Sequence, residues 1–120
     1  MDNNFQIEDG STIGRNVVLG HNVIVESNCH IGDNVYIGDN TIIRYGTIIG
    51  SNGNVGANCI IGEYQMDFYQ DRKRHNHPLT IGNNSLIRSG SIIYNGSVIG
   101  DNFQTGHQVN IRENSRIGNN

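Results

Sequence analysis

The chain has 120 residues, which is room for one domain. Only 35% of the residues are hydrophobic, and 16 Gly and 19 Asn accompany a single Pro, so an ordinary layered core would be thin. The net charge of −3, with no basic run longer than residues 72–74, argues against nucleic acid as a partner, and no stretch approaches the roughly 20 apolar residues of a membrane span.

The N-terminus and the cysteines indicate the compartment. Met1-Asp2-Asn3-Asn4 does not read as a signal peptide. Two cysteines, Cys29 and Cys59, do not make a disulfide framework. The expected compartment is the cytoplasm.

Aliphatic residues recur every six positions along nearly the whole chain. The first run comprises Ile7, Ile13, Leu19, Val25, Ile31, Ile37, Ile43, Ile49, Val55 and Ile61. After one interruption the spacing resumes with Ile81, Ile87, Ile93, Ile99, Thr105, Ile111 and Ile117. We call this residue position one of a hexad, and the chain then contains seventeen hexads.

The other hexad positions are also restricted. Position two is usually Gly, position three is polar, position four is Asn or Gly, and position five is small or β-branched. Asn and Gly tolerate a left-handed backbone best, so we expect a tight turn at position four. Positions one and five should point into the core. A helix or a flat sheet would not show this period, whereas a chain wound into stacked coils would. The pattern predicts an all-β, single-domain parallel β-helix.

The two cysteines both stand at position five, in hexads four and nine. Position five is a core position, so we expect both thiols to be packed inside. The two hexads belong to different faces, which argues against a bridge between them.

The hexads are interrupted between Ile61 and Ile81, where 14 extra residues are present. We place a loop at Glu63–Thr80. Loops of this length in compact domains are usually functional or disordered. Arg72 and Arg74, with Lys73 between them, are candidates for contact with the phosphates of a ligand, and His77 is a further candidate. A solvated loop tip is the alternative for these residues.

Arg88 and Arg112 stand at position two, where Gly is usual. Each is a candidate either for ligand contact or for pairing between subunits.

His107 is the candidate catalytic residue. It stands at position three, as does His21, so a surface histidine is the alternative for both. Around His107, however, Phe103, Thr105 and Gln108 break the rules of positions five, one and four. Local violations of a strict pattern tend to mark functional or strained sites. Counting hexads in threes places His21 and His107 on the same edge of the prism, four coils apart.

The chain ends at Ile117-Gly118-Asn119-Asn120, inside a coil and with no polar cap. Solenoids normally carry capped ends. We expect a truncation here, with an unusual natural end as the alternative.

The hexad pattern from Ile7 to the end resembles that of the hexapeptide-repeat, left-handed parallel β-helix proteins. The resemblance implies a left-handed path, three hexads per triangular coil and therefore five to six coils. It also implies a homotrimer with sites in the grooves between subunits.

The stretch Asp101-Asn102-Phe103-Gln104-Thr105-Gly106-His107-Gln108-Val109 resembles the histidine segment of acyltransferases of lipid A biosynthesis. The segments from Ile61 to Phe68 and from Ile81 to Arg88 are similar to the UDP-N-acetylglucosamine acyltransferases of that pathway and to sugar O- and N-acetyltransferases of surface-polysaccharide clusters. Ile93-Tyr94-Asn95-Gly96-Ser97 stands where the lipid A enzymes have Arg-Gly-Thr, and their C-terminal helical region is missing. These departures favour acetyl-CoA over a long-chain donor.

The resemblance implies an enzyme that acylates a small sugar with acetyl-CoA as co-substrate, for lipopolysaccharide or another surface polysaccharide. A neutral imidazole at His107 can remove the proton of the acceptor, and the Gly106 amide can stabilise the oxyanion. Asn95 and Gln104 join Arg72, Arg74, His77, Arg88 and Arg112 as candidate substrate or cofactor contacts.

Metal binding is not expected. The γ-class carbonic anhydrases share the fold, but Arg112 stands where their second zinc histidine would be. The competing hypothesis is a non-catalytic β-helix scaffold or an inactive truncated fragment.

Overall fold

The structure is a computed structural model that describes residues 4–119. Met1 to Asn3, on which the interpretation of the N-terminus partly rests, and Asn120 lie outside the described residues. Short strands and one helix follow each other along the described chain. They are β1 (Gln6–Ile7), β2 (Thr12–Ile13), β3 (Val18–Leu19), β4 (Ile24–Val25), β5 (His30–Ile31), β6 (Tyr36–Ile37), β7 (Ile42–Ile43), β8 (Ile48–Ile49), β9 (Asn54–Val55), β10 (Ile60–Glu63), α1 (Met66–Asp71), β11 (Thr80–Ile81), β12 (Leu86–Ile87), β13 (Ile92–Tyr94), β14 (Val98–Ile99), β15 (Asn110–Ile111) and β16 (Arg116–Ile117).

The strands form three parallel sheets. Sheet A contains β1, β4, β7, β10, β13 and β15, sheet B contains β2, β5, β8, β11, β14 and β16, and sheet C contains β3, β6, β9 and β12. Sheet C is extended by a single bridge between Leu86 and Gln104. Consecutive strands therefore belong to three different faces of a triangular prism.

The register repeats every 18 residues. Ile24 pairs with Ile42, and Ile42 with Ile60. The step from Ile60 to Ile92 is longer because the inserted segment lies between them. The strands and the bridge at Gln104 make between five and six coils, which confirms the predicted left-handed parallel β-helix.

Positions one and five fill the interior of the prism, as predicted. Position-one residues such as Ile43 and Ile61 are fully buried, and so are Cys29 and Cys59 at position five. Both cysteines are free thiols, and burial raises the pKa of Cys29 to about 11. Their prediction as core residues is confirmed.

Position four has a left-handed backbone, as the hexad pattern predicts. Its Asn residues have φ between 57° and 63°, and Gly46 has a φ of 77°. The Asn side chains also form ladders: the Nδ2 of Asn16 donates to the Oδ1 of Asn34, 3.2 Å away, and Asn34 donates likewise to Asn52. Asn is therefore favoured both by its tolerance of the turn and by its hydrogen bonds between coils.

At Gly46 a substitution would change the backbone strain of this turn without a steric clash. Apart from its two neighbours in the chain, no atom of the described residues lies within 4 Å of the place where a Cβ would be. We expect Gly46→Ala to lower the free energy of unfolding by about 1 kcal/mol, since a left-handed backbone disfavours a Cβ. Gly46→Asn should lose less, because Asn tolerates this conformation. Chemical denaturation of the two variants beside the parent protein measures both values, and equal losses would contradict this explanation of the Asn and Gly pattern.

The inserted segment leaves the prism later and returns earlier than predicted. Glu63 belongs to β10 and Thr80 to β11, so residues 64–79 are extruded rather than the whole of 63–80. The segment contains α1, which ends at Asp71 and is capped by Arg72, whose backbone N–H donates to the Phe68 carbonyl. The rings of Tyr64 and Phe68 stack with centroids 4.1 Å apart. The segment is thus folded and packed on itself.

Within residues 4–119, no helix has the length and apolar character needed to cross a membrane.

Candidate active site

His107 and His21 lie in one column of turn residues, which we call the C–A corner because it joins sheets C and A. The column runs through His21, Asp39, Ala57, Ser89 and His107. Backbone hydrogen bonds of 2.8–3.0 Å connect its coils, such as the bond from the Gln108 amide to the Ser89 carbonyl. The prediction that the two histidines share an edge, four coils apart, is confirmed.

The lower end of this corner, at His21, is regular. The Gly20 amide donates to the Ile37 carbonyl of the next coil at 2.8 Å. The His21 amide donates to the Oδ1 of Asp39, also at 2.8 Å. Both bonds repeat contacts made elsewhere in the prism, so nothing in the backbone distinguishes His21.

The upper end differs at Arg88, which lies in the coil below that of His107. The Arg88 amide donates to the side-chain Oγ1 of Thr105 at 3.0 Å. One coil lower, the Gly56 amide donates to a main-chain carbonyl, that of Ile87, at 2.7 Å. The Thr105 hydroxyl therefore replaces the carbonyl that normally receives this bond, which gives a physical reason for a polar residue at position one.

At the C–A corner the coils approach closely at position two. A Cβ built on Gly56 would lie 2.7 Å from the nitrogen of Ser89, and one on Gly38 would lie 2.8 Å from the nitrogen of Ala57. Arg88 has a Cβ at the equivalent place of this corner, and there the regular main-chain bond is replaced by the bond to Thr105. The departures at Arg88 and Thr105 therefore occur together.

The other two exceptions near His107 are Gln108 and Phe103. Gln108 keeps the left-handed turn, with a φ of 55°. Phe103 is half-buried and packs against the core.

The His107 side chain is exposed at this corner. Within residues 4–119 it has neither a hydrogen-bond partner nor an ion-pair partner, and no cavity encloses it. Gly106 and Gln104 beside it are exposed as well. The Gly106 carbonyl accepts a hydrogen bond from the Thr105 hydroxyl at 2.8 Å. One chain by itself therefore presents an open catalytic candidate rather than a closed site.

The remaining residues that were predicted to contact substrate or cofactor lie at a different corner. This corner joins sheets A and B, and we call it the A–B corner. These residues are Arg72, Arg74, His77, Asn95 and Arg112. Sheet A separates this group from the group of His107, Arg88, Gln104 and Gly106. The structure thus divides the predicted site residues into two sets and does not bring the sets together within one chain.

Most residues of the A–B set already have partners. The Arg74 Nη1 lies 2.8 Å from the Oε1 of Glu8, and the Arg112 Nε lies 2.8 Å from the Oε1 of Glu113. The His77 Nε2 lies 2.7 Å from the Oδ2 of Asp67.

Asn95 and Arg72 complete this set. Asn95 is buried, and among residues 4–119 its Oδ1 has no hydrogen-bond partner. Arg72 is exposed at the end of α1.

A buried charge cluster below the inserted segment was not predicted. Its centre is Glu26, which is 5% exposed. The Glu26 carboxylate accepts hydrogen bonds from Arg44 at 2.9 Å and from the Tyr64 hydroxyl at 2.5 Å. Arg74 lies 3.3 Å from the same carboxylate. These contacts fasten the inserted segment to two coils of its own prism.

The sequence does indicate this cluster, through charged residues that recur every 18 positions rather than every six. Position two is charged in three consecutive coils of the A–B corner, at Glu8, Glu26 and Arg44, whereas it is Gly in the other two corners except at Arg88. Charged side chains at every third hexad mark one edge of the prism. The inserted segment leaves the prism from that same edge, after Gly62 and Glu63.

The electrostatics agree with a tightly paired cluster. Burial, together with the hydrogen bond to Glu26, raises the pKa of Tyr64 to about 12. The hydrogen bond from Arg74 lowers the pKa of Glu8. At neutral pH the Tyr64 phenol is therefore neutral and the Glu8 carboxylate is ionised.

The histidines of the inserted segment pair with carboxylates. His75 lies 3.0 Å from Asp71, and this hydrogen bond raises the pKa of His75 and lowers that of Asp71. Among residues 4–119, no three His, Cys, Asp or Glu side chains are arranged to hold a metal ion.

Comparison with known proteins identifies the repeat. The family model described as bacterial transferase hexapeptide (six repeats) matches residues 4–37 and 28–63. The two matches together cover residues 4–63, which is half of the 120 residues. None of the curated proteins matches the chain.

Proposed function

Because the chain belongs to the bacterial transferase hexapeptide family, we propose that it is an acetyltransferase that transfers the acetyl group of acetyl-CoA to a sugar or nucleotide sugar. The observation that carries the proposal is the local distortion at the C–A corner. Arg88 and Thr105 disturb a regular coil next to His107, whereas His21 on the same edge has regular surroundings. Departures of this kind tend to mark functional sites.

The proposed mechanism uses His107 as a general base. Its imidazole takes the proton from a sugar hydroxyl or amine while the oxygen or nitrogen attacks the thioester carbonyl. The new C–O or C–N bond forms, the C–S bond breaks, and the leaving thiolate of CoA takes the proton back from the imidazolium. The Gly106 amide is the proposed donor to the oxyanion. No metal is needed in this scheme.

The substrate class and the compartment rest on the resemblance to surface-polysaccharide and lipid A acyltransferases. We propose that the acceptor belongs to the biosynthesis of a surface polysaccharide or lipopolysaccharide. The proposed compartment is the cytoplasm, where acetyl-CoA would be the donor.

We further propose a homotrimer that uses the outer face of sheet A. Four isoleucines lie next to each other there, all half-buried, and the exposed Gln6 and Asn110 border them. They are Ile24, Ile42, Ile60 and Ile92. An apolar patch with a polar rim is typical of an interaction surface. Sheet A also separates the two sets of site residues, so a neighbouring copy on this face could bring its A–B corner to His107.

Ile42→Lys tests this assembly, because it places a charge in the centre of the isoleucine face. We expect the parent protein to be a trimer and the variant to be smaller, since burying an unpaired ammonium is unfavourable. Val98→Lys on sheet B is the matched control, because Val98 has the same place in its strand as Ile42 and is itself exposed, and it should stay trimeric. Light scattering at micromolar concentration measures the mass. A monomeric parent protein, or equal dissociation of both variants, would contradict the proposal.

The exposed and unpaired His107 side chain favours one alternative, a non-catalytic scaffold. Binding of CoA separates the two functions. The acetyltransferase should bind CoA with a dissociation constant in the micromolar to millimolar range, which calorimetry can measure. A folded protein that shows no CoA binding would favour the scaffold.

A further inference from the structure

Arg88 stands at position two of the C–A corner, where the lower coils have Gly20, Gly38 and Gly56. At the C–A corner, a Cβ on Gly20, Gly38 or Gly56 would point along the corner at the position-three residue of the next coil. The residue that stands in this relation to Arg88 is His107. By the geometry of its column, the side chain of Arg88 therefore leaves the backbone toward the coil of His107.

In the described part of the chain, no carboxylate pairs with the guanidinium of Arg88. Arg15, Arg44, Arg74 and Arg112 each form an ion pair with a carboxylate, whereas Arg88 is exposed and forms no ion pair within residues 4–119. Arg72 and Arg116 are also unpaired, but they lie at the inserted segment and on sheet B. Arg88 is thus the unpaired cation at the corner of His107.

The backbone hydrogen bonding differs at this arginine from that of the coil below. A glycine at position 88 would allow the regular hydrogen bond of this corner, in which the amide of Gly56 donates to a main-chain carbonyl. Instead, the Thr105 hydroxyl receives the Arg88 amide, and the regular contact is lost. A surface charge could be placed at position three without this distortion, as Arg15 shows.

We propose that Arg88 is a recognition site for a phosphate ester of the substrate, which it binds beside His107. A guanidinium matches phosphate oxygens with two parallel N–H donors, and its charge is always present at physiological pH. The phosphate belongs either to CoA or to the diphosphate of a nucleotide sugar. The inference rests on the proposed acyl transfer only for the identity of the substrate and not for the anion site itself.

The test measures binding of anions in the absence of any acetyl donor. Pyrophosphate, UDP and adenosine 3′,5′-bisphosphate are titrated by calorimetry into the parent protein and into Arg88→Gln, Arg88→Lys and Arg116→Gln. Gln keeps the Cβ and the apolar stem, so the local distortion remains while the charge is lost. Arg116 is the matched control, because it is also exposed and unpaired in the same coil as His107. Circular dichroism verifies that each variant is folded.

We expect Arg88→Gln to weaken the binding of pyrophosphate by about ten- to a hundredfold, the usual size of a charged hydrogen-bonding contact. Arg88→Lys should lie between this variant and the parent protein, and Arg116→Gln should bind as the parent does. Loss of UDP binding would assign the phosphate to a nucleotide sugar, and loss of bisphosphate binding would assign it to CoA. Unchanged affinity in Arg88→Gln, or no binding of any of the three anions by the parent protein at millimolar concentration, would overturn the proposal. Since no turnover is measured, these results are independent of the role of His107.

Discussion

Replacing His107 by alanine should lower the rate of acetyl transfer by about 10²–10⁴, the usual contribution of a general base. The side chain is exposed and forms no hydrogen bond or ion pair in the described chain, so its removal should leave thermal stability almost unchanged. A large loss of rate without a loss of stability is the expected signature of a residue that acts on the substrate. The rate is measured as release of CoA with a panel of amino and hydroxy sugars.

His21 provides the control within the same molecule. It has the same hexad position and the same corner, and it is also exposed. Its surroundings are regular, so His21→Ala should change the rate by less than about threefold. Equal effects of the two substitutions would refute the assignment of His107. If the His107→Ala variant remained active, His77 would be the next candidate for the base, since Asp67 orients its imidazole.

Glu26→Ala should lower the free energy of unfolding by about 3–5 kcal/mol, as expected when one partner of a buried ion pair is removed. The substitution leaves Arg44 with Glu63 alone, at 3.4 Å, and removes the acceptor of the Tyr64 hydroxyl. The inserted segment should also loosen from the prism. Chemical denaturation measures the first effect, and the rate of tryptic cleavage within residues 72–74 measures the second.

Asp33→Ala is the matched control for Glu26. The side chain of Asp33 is 40% exposed, and its partner Arg15 is 87% exposed. Exposed pairs of this kind contribute about 0–1 kcal/mol, so the control should be far less destabilised and its cleavage rate unchanged. A loss in Glu26→Ala no greater than that in Asp33→Ala would show that the cluster does not fasten the segment.

The repeat made most of the fold predictable, because each coil imposes the same few requirements on the sequence. Ile61 is buried because position one points inward, and Asn58 has a left-handed backbone because position four is the turn. Helix α1 was not predicted from the pattern: none of its residues is buried and its N-terminus has no side-chain cap, so it lacks the usual signals of a helix.

The site was less predictable, because its features depend on relations between coils. The charged residues Glu8, Glu26 and Arg44 are 18 residues apart, so a reading by hexads treats each as an isolated exception. The sequence marks Thr105 as unusual, but it does not show that the hydroxyl replaces a carbonyl for Arg88. The hexad pattern also does not show how the inserted segment lies relative to His107, and within one chain sheet A lies between them.

The most direct test of the proposed function is to incubate the protein with acetyl-CoA and each sugar or nucleotide sugar in turn, and to follow both CoA and the sugar by mass spectrometry. The acetyltransferase should release CoA only when a suitable acceptor is present, and that acceptor should become heavier by one acetyl group in equal amount. His107→Ala should form the same product far more slowly. Release of CoA at the same slow rate with and without every acceptor, and no acetylated sugar, would contradict the proposal.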